Sequence, residues 1–495
     1  MRRSPICAGT LTLCGIALSA VQPGSPLEAA PRTRIHVGLD NSIRSFDPRQ
    51  MVDANFRSMA DLIHCRLMNV DAEGHAVPGI AAQEPVWTSP QVLEVKLKDD
   101  VKFSDGSPLT AADVVATYKS LLTHASFAEA ASFHALSDVH AQAQTIVFTL
   151  KEADAGFISK LALGILPAKL AGQASIDFLN APVCGPYFIS RRDGERIILE
   201  KNPHETFSGP SAFTHIEFHI APNEKARFAM LQKGDIDLLQ NSIPAAALKD
   251  LAKNPQLTVM KGPGLRTRSI AFNFRDPLAG NAAVREAIAL ALDRKPIIDL
   301  VLGGLATPVS PRPYDPGKAE KILDEAGFKR KRGVRMELSF KTNADVDQIR
   351  IAKAMAAQLK KIGIRLVIEP MESKSLDEDA AAGRLQLWSL DWTSANDADV
   401  LREAFFSLNT PPRGMNRGWY NNPKLDALLE KGKISRSPEQ RRAVYQDVQE
   451  LLDKDLPYIV LWHDDQVAVM NRELKGYALA ADGRYTALRR ASFSD

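Results

Sequence analysis

The sequence predicts an α/β protein built from more than one lobe. The chain has 495 residues, which is too long for one ordinary hydrophobic core. Residues 92–270 alternate short strand patterns with isolated helices and hairpins. Residues 336–369 instead follow the order strand, helix, strand, a βαβ unit that implies a parallel sheet.

The N-terminus has the pattern of an export signal. Two arginines precede an apolar run over residues 6–21, and small residues follow, which predicts a cleavable signal peptide over residues 1–30 and an exported protein. The run is short for a membrane-spanning helix. Cys14 is preceded by Leu13, where a lipoprotein signal has a small residue, so we expect a soluble mature protein.

Removal of this signal leaves two cysteines, Cys65 and Cys184. They can pair in an oxidising compartment, but nothing in their spacing shows that they are close. Because free cysteine is among the most buried residue types, we expect two buried thiols.

A strand, a turn and a capped helix follow one another early in the chain. Apolar and polar residues alternate over 93–98, which is typical of a half-buried strand. Asp105 and Gly106 predict a tight turn. Thr110 with Asp113 three residues later predicts a capping box at the start of the next helix.

The later βαβ unit can be read residue by residue. MELSF (336–340) and IRLVIE (364–369) predict strands, and residues 345–361 between them predict a helix that stops before Gly363. RLQLWSL (384–390) predicts a further strand that ends at a polar loop.

Seven blocks of the sequence resemble one known family. The segment KFSDGSPLTAADVVATYKSLL (102–122) closely resembles the signature of the family 5 extracytoplasmic solute-binding proteins, the peptide and nickel receptors of ABC importers. Six further blocks resemble segments of that family in the correct order, at residues 185–203, 224–239, 284–298, 314–328, 420–432 and 439–463.

This resemblance implies a two-lobe periplasmic binding protein of the type II, flytrap kind. We expect lobe I over 31–270, with an extra subdomain over about 53–180, lobe II over 271–469, and a return to lobe I over 470–495. The implied function is the substrate-binding component of an ABC import system. A monomer is expected to capture a peptide or peptide-like solute and deliver it to a permease in the inner membrane.

Two other functions stay open at this point. One is a receptor of the same fold for a lipid, an opine, a sugar or a metal chelate. The other is a secreted hydrolase or metalloenzyme. The motifs HExxH, GxSxG and GxxxxGK are absent from the sequence, so we expect neither enzymatic activity nor a cofactor. The 62 basic and 59 acidic residues are nearly balanced, which gives no argument for nucleic-acid binding.

The loop DWTSANDADVL (391–401) is the strongest candidate for ligand binding, because it follows a strand end in an α/β lobe. Trp388 and Trp392 offer flat apolar surface, and the polar candidates are Asp391, Asn396 and Asp397. The alternative is a purely structural capped turn, with Asp397 or Asp399 capping the next helix.

Peptide receptors of this family carry an aspartate shortly after the tryptophan of this loop, where it pairs with the ligand's α-ammonium group. Simple alignment places Ala395 at that position. A charge-assisted hydrogen bond contributes about 1.5–3 kcal/mol, so its loss weakens the expectation of a peptide ligand. Asp397 replaces it if the loop is shifted.

The segment NTPPRGMNRGWY contains Arg413, Arg417, Trp419 and Tyr420 and predicts a loop that faces the cleft. Arg413 or Arg417 can form bidentate hydrogen bonds with a carboxylate. The alternative is an exposed arginine in a mobile loop.

Asn55, Phe56 and Arg57 occupy a segment that lies at the cleft wall in members of the family. They are therefore ligand candidates. The alternative is an ordinary helix start.

His215, Glu217 and His219 alternate along the strand pattern FTHIEFHI. Such residues on one strand face are possible metal ligands, but two histidines and a glutamate in alternation are a weak signal. The resemblance implies a structural strand with Ile216 and Phe218 on its core face, so we expect no metal here.

Overall fold

The computed structural model describes residues 32–71, 75–205, 209, 211–309, 312–393 and 397–494. These residues belong to one compact unit that runs from Arg32 to Ser494. The expected signal peptide, Cys14, Ala395 and Asn396 lie outside the described residues. No helix in the described ranges is long and apolar enough to cross a membrane.

The strands of the described chain are β1 (Arg34–Leu39), β2 (Met68–Val70), β3 (Ala76–Pro78), β4 (Val86–Ser89), β5 (Val92–Lys96), β6 (Leu136–Gln142), β7 (Thr145–Leu150), β8 (Tyr187–Arg192), β9 (Arg196–Lys201), β10 (His215–Ile220), β11 (Leu238–Gln240), β12 (Leu257–Phe272), β13 (Ala306–Pro308), β14 (Met336–Asn343), β15 (Ile364–Met371), β16 (Leu387–Thr393), β17 (Tyr458–Asn471), β18 (Leu474–Lys475) and β19 (Ser492–Phe493).

The helices are α1 (Ala54–Ile63), α2 (Ala111–Thr123), α3 (Phe157–Lys160), α4 (Ala168–Ala171), α5 (Glu224–Lys233), α6 (Ala245–Leu251), α7 (Ala282–Ala291), α8 (Arg294–Val301), α9 (Pro316–Glu325), α10 (Val346–Lys361), α11 (Ser373–Ala382), α12 (Val400–Phe405), α13 (Pro423–Ile434) and α14 (Pro438–Asp455). Two 3₁₀ helices cover Ala128–Phe133 and Thr486–Arg489.

Two long strands join two halves of one sheet. The strand order is β15-β14-β16-β12-β17-β11-β1-β10-β9-β8, with β13 also paired to β17. The antiparallel strands β12 and β17 pair along most of their length, with a register shift between Pro263 and Thr267. Val259 and Val469 pack in one apolar cluster, whereas Ile270 and Leu461 pack in another. Both strands therefore run from one core to the other.

A separate four-stranded sheet, in the order β4-β5-β7-β6, carries its own core with helix α2. The predicted local elements at α2 are confirmed. The amide of Phe103 donates to the carbonyl of Ser107 at 2.9 Å, and Gly106 has φ +81°, a conformation that favours glycine. Thr110 and Asp113 form the predicted capping box.

The predicted βαβ unit is also confirmed, since β14 and β15 pair in parallel with α10 between them. The side chain of Asp345 caps α10, and Gly363 follows the helix with φ +85°. Strand β16 begins three residues later than predicted. Helix α11 ends only at Ala382, and the amide of Arg384 still donates to the carbonyl of Asp379.

The expectation of two free thiols was wrong. Cys65 and Cys184 form a disulfide, with their Cα atoms 5.1 Å apart. Both residues are buried in the α2 core as expected. The contact arises because the segments meet in space: the amide of Gly185 donates to the carbonyl of Ile63 at 2.9 Å. A separation of 119 residues in sequence gave no sign of this approach.

Candidate ligand-binding site

A cavity of about 940 Å³, called here the larger cavity, lies between the α2 core and helices α12 and α13. Its volume is near the upper end of the range of about 300–1,000 Å³ that is usual for ligand pockets. Charged side chains of both signs line it, among them Arg57, Arg66, Glu129, Glu152, Asp154, Lys160, Asp397, Asp399, Arg402, Lys433, Asp482 and Arg484.

Contacts between residues 152–156 and helix α13 cross this cavity. The amide of Ala155 donates to the carbonyl of Lys433 at 2.7 Å. Nζ of Lys433 lies 2.9 Å from Oε2 of Glu152. Gly156 is buried against a cluster of charged side chains, because a Cβ at this position would lie 3.2 Å from the nearest atoms of Asp397 and Arg441. The two walls are thus in direct contact.

Asp397 is held by neighbouring groups. Its carboxylate pairs with Arg441 and accepts a hydrogen bond from the amide of Asp399 at 2.7 Å. Burial raises the pKa of Asp397, and the positive charge of Arg441 offsets part of this effect. The hydroxyl of Tyr445 donates to Asp399. These bonds fix the start of α12 at the cavity wall, although the side chain of Asp399 makes no cap hydrogen bond.

Two predicted site residues are buried in apolar cores and do not face the larger cavity. Phe56 is fully buried and packs edge-on against Phe46, with ring centroids 5.7 Å apart. Trp388 is 2% exposed and packs with Ala271 and Leu376. A side chain without exposed surface has none to offer a ligand, so we do not retain these two residues in the proposed site.

Asp391 and Trp392 lie on opposite faces of β16, because neighbouring side chains alternate along a strand. Asp391 accepts from Arg266 at 2.6 Å. Trp392 is half-buried against the apolar cluster of α12–α14, and its indole Nε1 has no hydrogen-bond partner among the described residues. The fold therefore does not bring these two candidates together on one surface.

The candidates of the later loop are separated as well. Arg413 is exposed. Trp419 lies beneath the guanidinium of Arg275, which is 3.6 Å from the ring centroid. Arg417 pairs with Asp377 at 2.6 Å. None of these residues lines the larger cavity.

Asn55 lines a smaller cavity of about 480 Å³ at the ends of β1 and β11. Its side-chain amide donates to Asp40 at 3.1 Å and to the carbonyl of Asn41 at 2.8 Å. Ser242 also donates to Asp40, at 2.6 Å. Burial acts to raise the pKa of Asp40, but these hydrogen bonds outweigh it and the pKa is lowered.

Sequence reasoning missed a buried charge network in the wall of the larger cavity. Arg66 and Arg484 both pair with Asp61, and the Arg484 contact measures 3.0 Å. Burial alone would raise the pKa of Asp61, yet the two arginines lower it. Arg484 is 423 positions from Asp61 in sequence, so no local pattern marks the network.

Glu129 was also missed. It is half-buried, lines the larger cavity and forms no ion pair within the described residues. Burial raises its pKa, and the positive charge of Arg57 counteracts this in part. A carboxylate in this position can bind a cationic group of a ligand.

Comparisons with known proteins point to one family. The family described as "Bacterial extracellular solute-binding proteins, family 5 Middle" matches residues 75–410, more than half of the chain. The oligopeptide-binding protein AppA of Bacillus subtilis is 29% identical over 433 residues, covering 78% of this chain and 77% of AppA. The glutathione-binding protein GsiB of Pectobacterium atrosepticum is 25% identical over 507 residues, covering 95% and 96%.

Solved structures share the fold. The structure of HbpA2 from Haemophilus parasuis superposes with a TM-score of 0.83 at 22% identity, covering 93% of this chain and all of HbpA2. The match extends over both halves of the long sheet. The two-lobe architecture expected from the sequence is thereby confirmed.

Proposed function

We propose that this chain, which belongs to the family 5 bacterial extracellular solute-binding proteins, captures a peptide or peptide-like solute and delivers it to an ABC permease. The family predicted from seven sequence blocks is confirmed. AppA is named for oligopeptides and GsiB for glutathione, and both kinds of ligand contain peptide bonds. This chain is proposed to share that ligand class.

The observation that carries the proposal is the charged larger cavity. A short peptide with free ends is a zwitterion, and it needs groups of both signs together with room for its side chains. Glu129 is proposed to bind the ammonium group, and Arg57 beside it to bind a carboxylate. A hydrogen bond to such a charged group contributes about 1.5–3 kcal/mol. Glu129 thus takes the role that the sequence leaves vacant at Ala395.

Binding is proposed to act by closing the two lobes. A ligand that contacts both cavity walls favours the arrangement in which Lys433 reaches Glu152, so ligand binding shifts the equilibrium towards the closed state. We place the hinge where β12 and β17 pass between the two cores, at about residues 263–267 and 463–466. This proposal moves both crossings a few residues before the lobe boundaries after residues 270 and 469 that the sequence predicts. The mechanism is binding alone, without turnover.

Export and delivery complete the proposal. Residues 1–30 are proposed to direct the chain to the periplasm, where a soluble monomer meets the permease. Intact-mass analysis of periplasmic material checks this step. A lipid-modified N-terminal cysteine would contradict it.

The ligand itself can be identified directly. Protein purified without denaturation is unfolded, and the released small molecules are identified by mass spectrometry. Isothermal titration then compares dipeptides, tripeptides and glutathione with an opine and a sugar. We expect a peptide among the released molecules and the tightest binding by a member of the peptide panel. Release of a lipid, opine or sugar with no binding by any peptide would support the non-peptide receptor instead.

A further inference from the structure

Strand pairing in lobe I brings together three side chains that bind metals in other proteins. Strands β1 and β10 pair in parallel, with His36 opposite Glu217 and Gly38 opposite His219. Alternation along the two strands puts His36, Glu217 and His219 on one face of the sheet, opposite the face on which Val37 and Phe218 pack in the core. The cluster therefore combines residues that are 183 positions apart in sequence.

The donor atoms of this cluster have the spacing of a metal site. Nδ1 of His36 lies 2.9 Å from Nε2 of His219. Oε2 of Glu217 lies 3.8 Å from the first nitrogen and 4.0 Å from the second. In a triangle with these sides, the point equidistant from the corners is about 2.1 Å from each, which matches zinc–nitrogen distances of about 2.0–2.1 Å and zinc–oxygen distances of about 2.0–2.2 Å.

The neighbouring groups leave these three atoms available. Arg34 pairs with the other carboxylate oxygen of Glu217, Oε1, and so orients Oε2 towards the histidines, as outer hydrogen bonds orient metal ligands elsewhere. The two imidazoles form a hydrogen bond with each other. An ion would take the place of the proton between them. The side chains of His36 and His219 are 26% and 18% exposed, so the site is open to solvent ions.

We propose that His36, Glu217 and His219 bind one divalent transition-metal ion of the zinc type. Two imidazoles and one carboxylate suit zinc better than magnesium or calcium, which prefer oxygen ligands alone. Three protein ligands leave a fourth coordination position to water. The ion ties the first strand of the described chain to β10 and stabilises lobe I. None of the three residues lines the larger or the smaller cavity, so this site is separate from the proposed peptide site.

His215 offers a matched control. It lies on the same face of the same strand, two positions before Glu217, but its ring nitrogen bonds to the hydroxyl of Thr214 at 3.0 Å. It does not belong to the cluster. The same substitution at His215 and at His219 therefore separates the metal site from a general effect of losing a histidine.

Isothermal titration of the untagged, chelator-treated protein with ZnCl₂ tests the proposal. We expect one ion per chain, at least a tenfold loss of affinity in His36→Ala and in His219→Ala, and no change in His215→Ala. Near-ultraviolet circular dichroism checks that each variant is folded. A folded His36→Ala protein that binds zinc as tightly as the wild type would overturn the proposal.

Cobalt provides a second measurement that needs no variant. Addition of CoCl₂ to the wild-type protein should give the intense visible absorption of four-coordinate cobalt, and added zinc should remove it. Glu217→Gln keeps the size of the side chain and should weaken the absorption. Absence of this absorption from the folded wild type at a saturating cobalt concentration would also overturn the proposal.

Discussion

Lys433 and Glu152 form an ion pair across the larger cavity. Removal of either charge tests whether closure of the two lobes contributes to ligand affinity. The Lys433 side chain is 10% exposed and that of Glu152 is 56% exposed. Exposed ion pairs contribute about 0.2–1 kcal/mol, and the burial of Lys433 places this pair near the upper value. Because about 1.4 kcal/mol changes a dissociation constant tenfold, we expect Lys433→Ala and Glu152→Gln each to weaken binding about three- to fivefold.

Isothermal titration with the tightest peptide of the panel supplies dissociation constants for both single variants and the double variant. The double variant should bind no more weakly than the weaker single variant, because each substitution removes the same contact. Lys253→Ala is the control, since this lysine pairs with Asp250 at 2.8 Å on the exposed face of α6. Two outcomes would refute closure through this ion pair. One is a double variant in which the affinity losses of the two single variants add, and the other is a single variant that loses no more affinity than Lys253→Ala.

Four further predictions concern the ligand and stability. Trp392→Ala should change peptide affinity little, because this side chain packs against the apolar cluster of α12–α14 and does not line the larger cavity. A loss of about tenfold, equal to about 1.4 kcal/mol, would instead place the ligand against this tryptophan. Ala395→Asp should raise affinity for peptides with a free amino terminus, and an equal gain for N-acetylated peptides would contradict the ammonium argument. Glu129→Gln should weaken binding of free-amine peptides about tenfold, since a charge-assisted hydrogen bond contributes about 1.5–3 kcal/mol. It should leave the affinity for N-acetylated peptides unchanged. Equal losses for both kinds of peptide would refute the assignment of Glu129 to the ligand ammonium. Burial lowers the pKa of His64 to about 4, so between pH 6.5 and 4 the unfolded chain binds a proton that the folded chain does not. The free energy of unfolding should therefore fall on acidification, by at most about 3 kcal/mol, and urea titrations at pH 7 and 4.5 should show a smaller fall for His64→Gln; equal falls would contradict the assignment.

Local signals predicted local structure well. The turn at Gly106, the capping box at Thr110 and the helix stop at Gly363 each depend on residues within one or two turns of chain. The parallel pair β14 and β15 could be predicted too, because one helix between two strands permits few arrangements. In each case the residues that determine the structure lie in one continuous stretch of the sequence.

Contacts between distant segments could not be predicted in the same way. The pairing of Cys65 with Cys184 depends on where two loops meet. The approach of His36 to His219 depends on the parallel register of β1 and β10. Phe56 has polar neighbours in sequence, yet the helix turns it into the core. Polar sequence context does not show which way a side chain faces.

The charges of the larger cavity differ in how much a ligand can gain from them. Lys160 already pairs with Asp154 at 3.1 Å, and Asp397 already pairs with Arg441. A ligand must compete with these partners, so such residues contribute mainly to the shape of the wall. Glu129 is partly buried without an ion pair, and burial of an unpaired carboxylate costs free energy. A ligand ammonium that pairs with Glu129 can reduce this cost. Selectivity for a cationic group should therefore depend on Glu129 more than on the paired carboxylates around it.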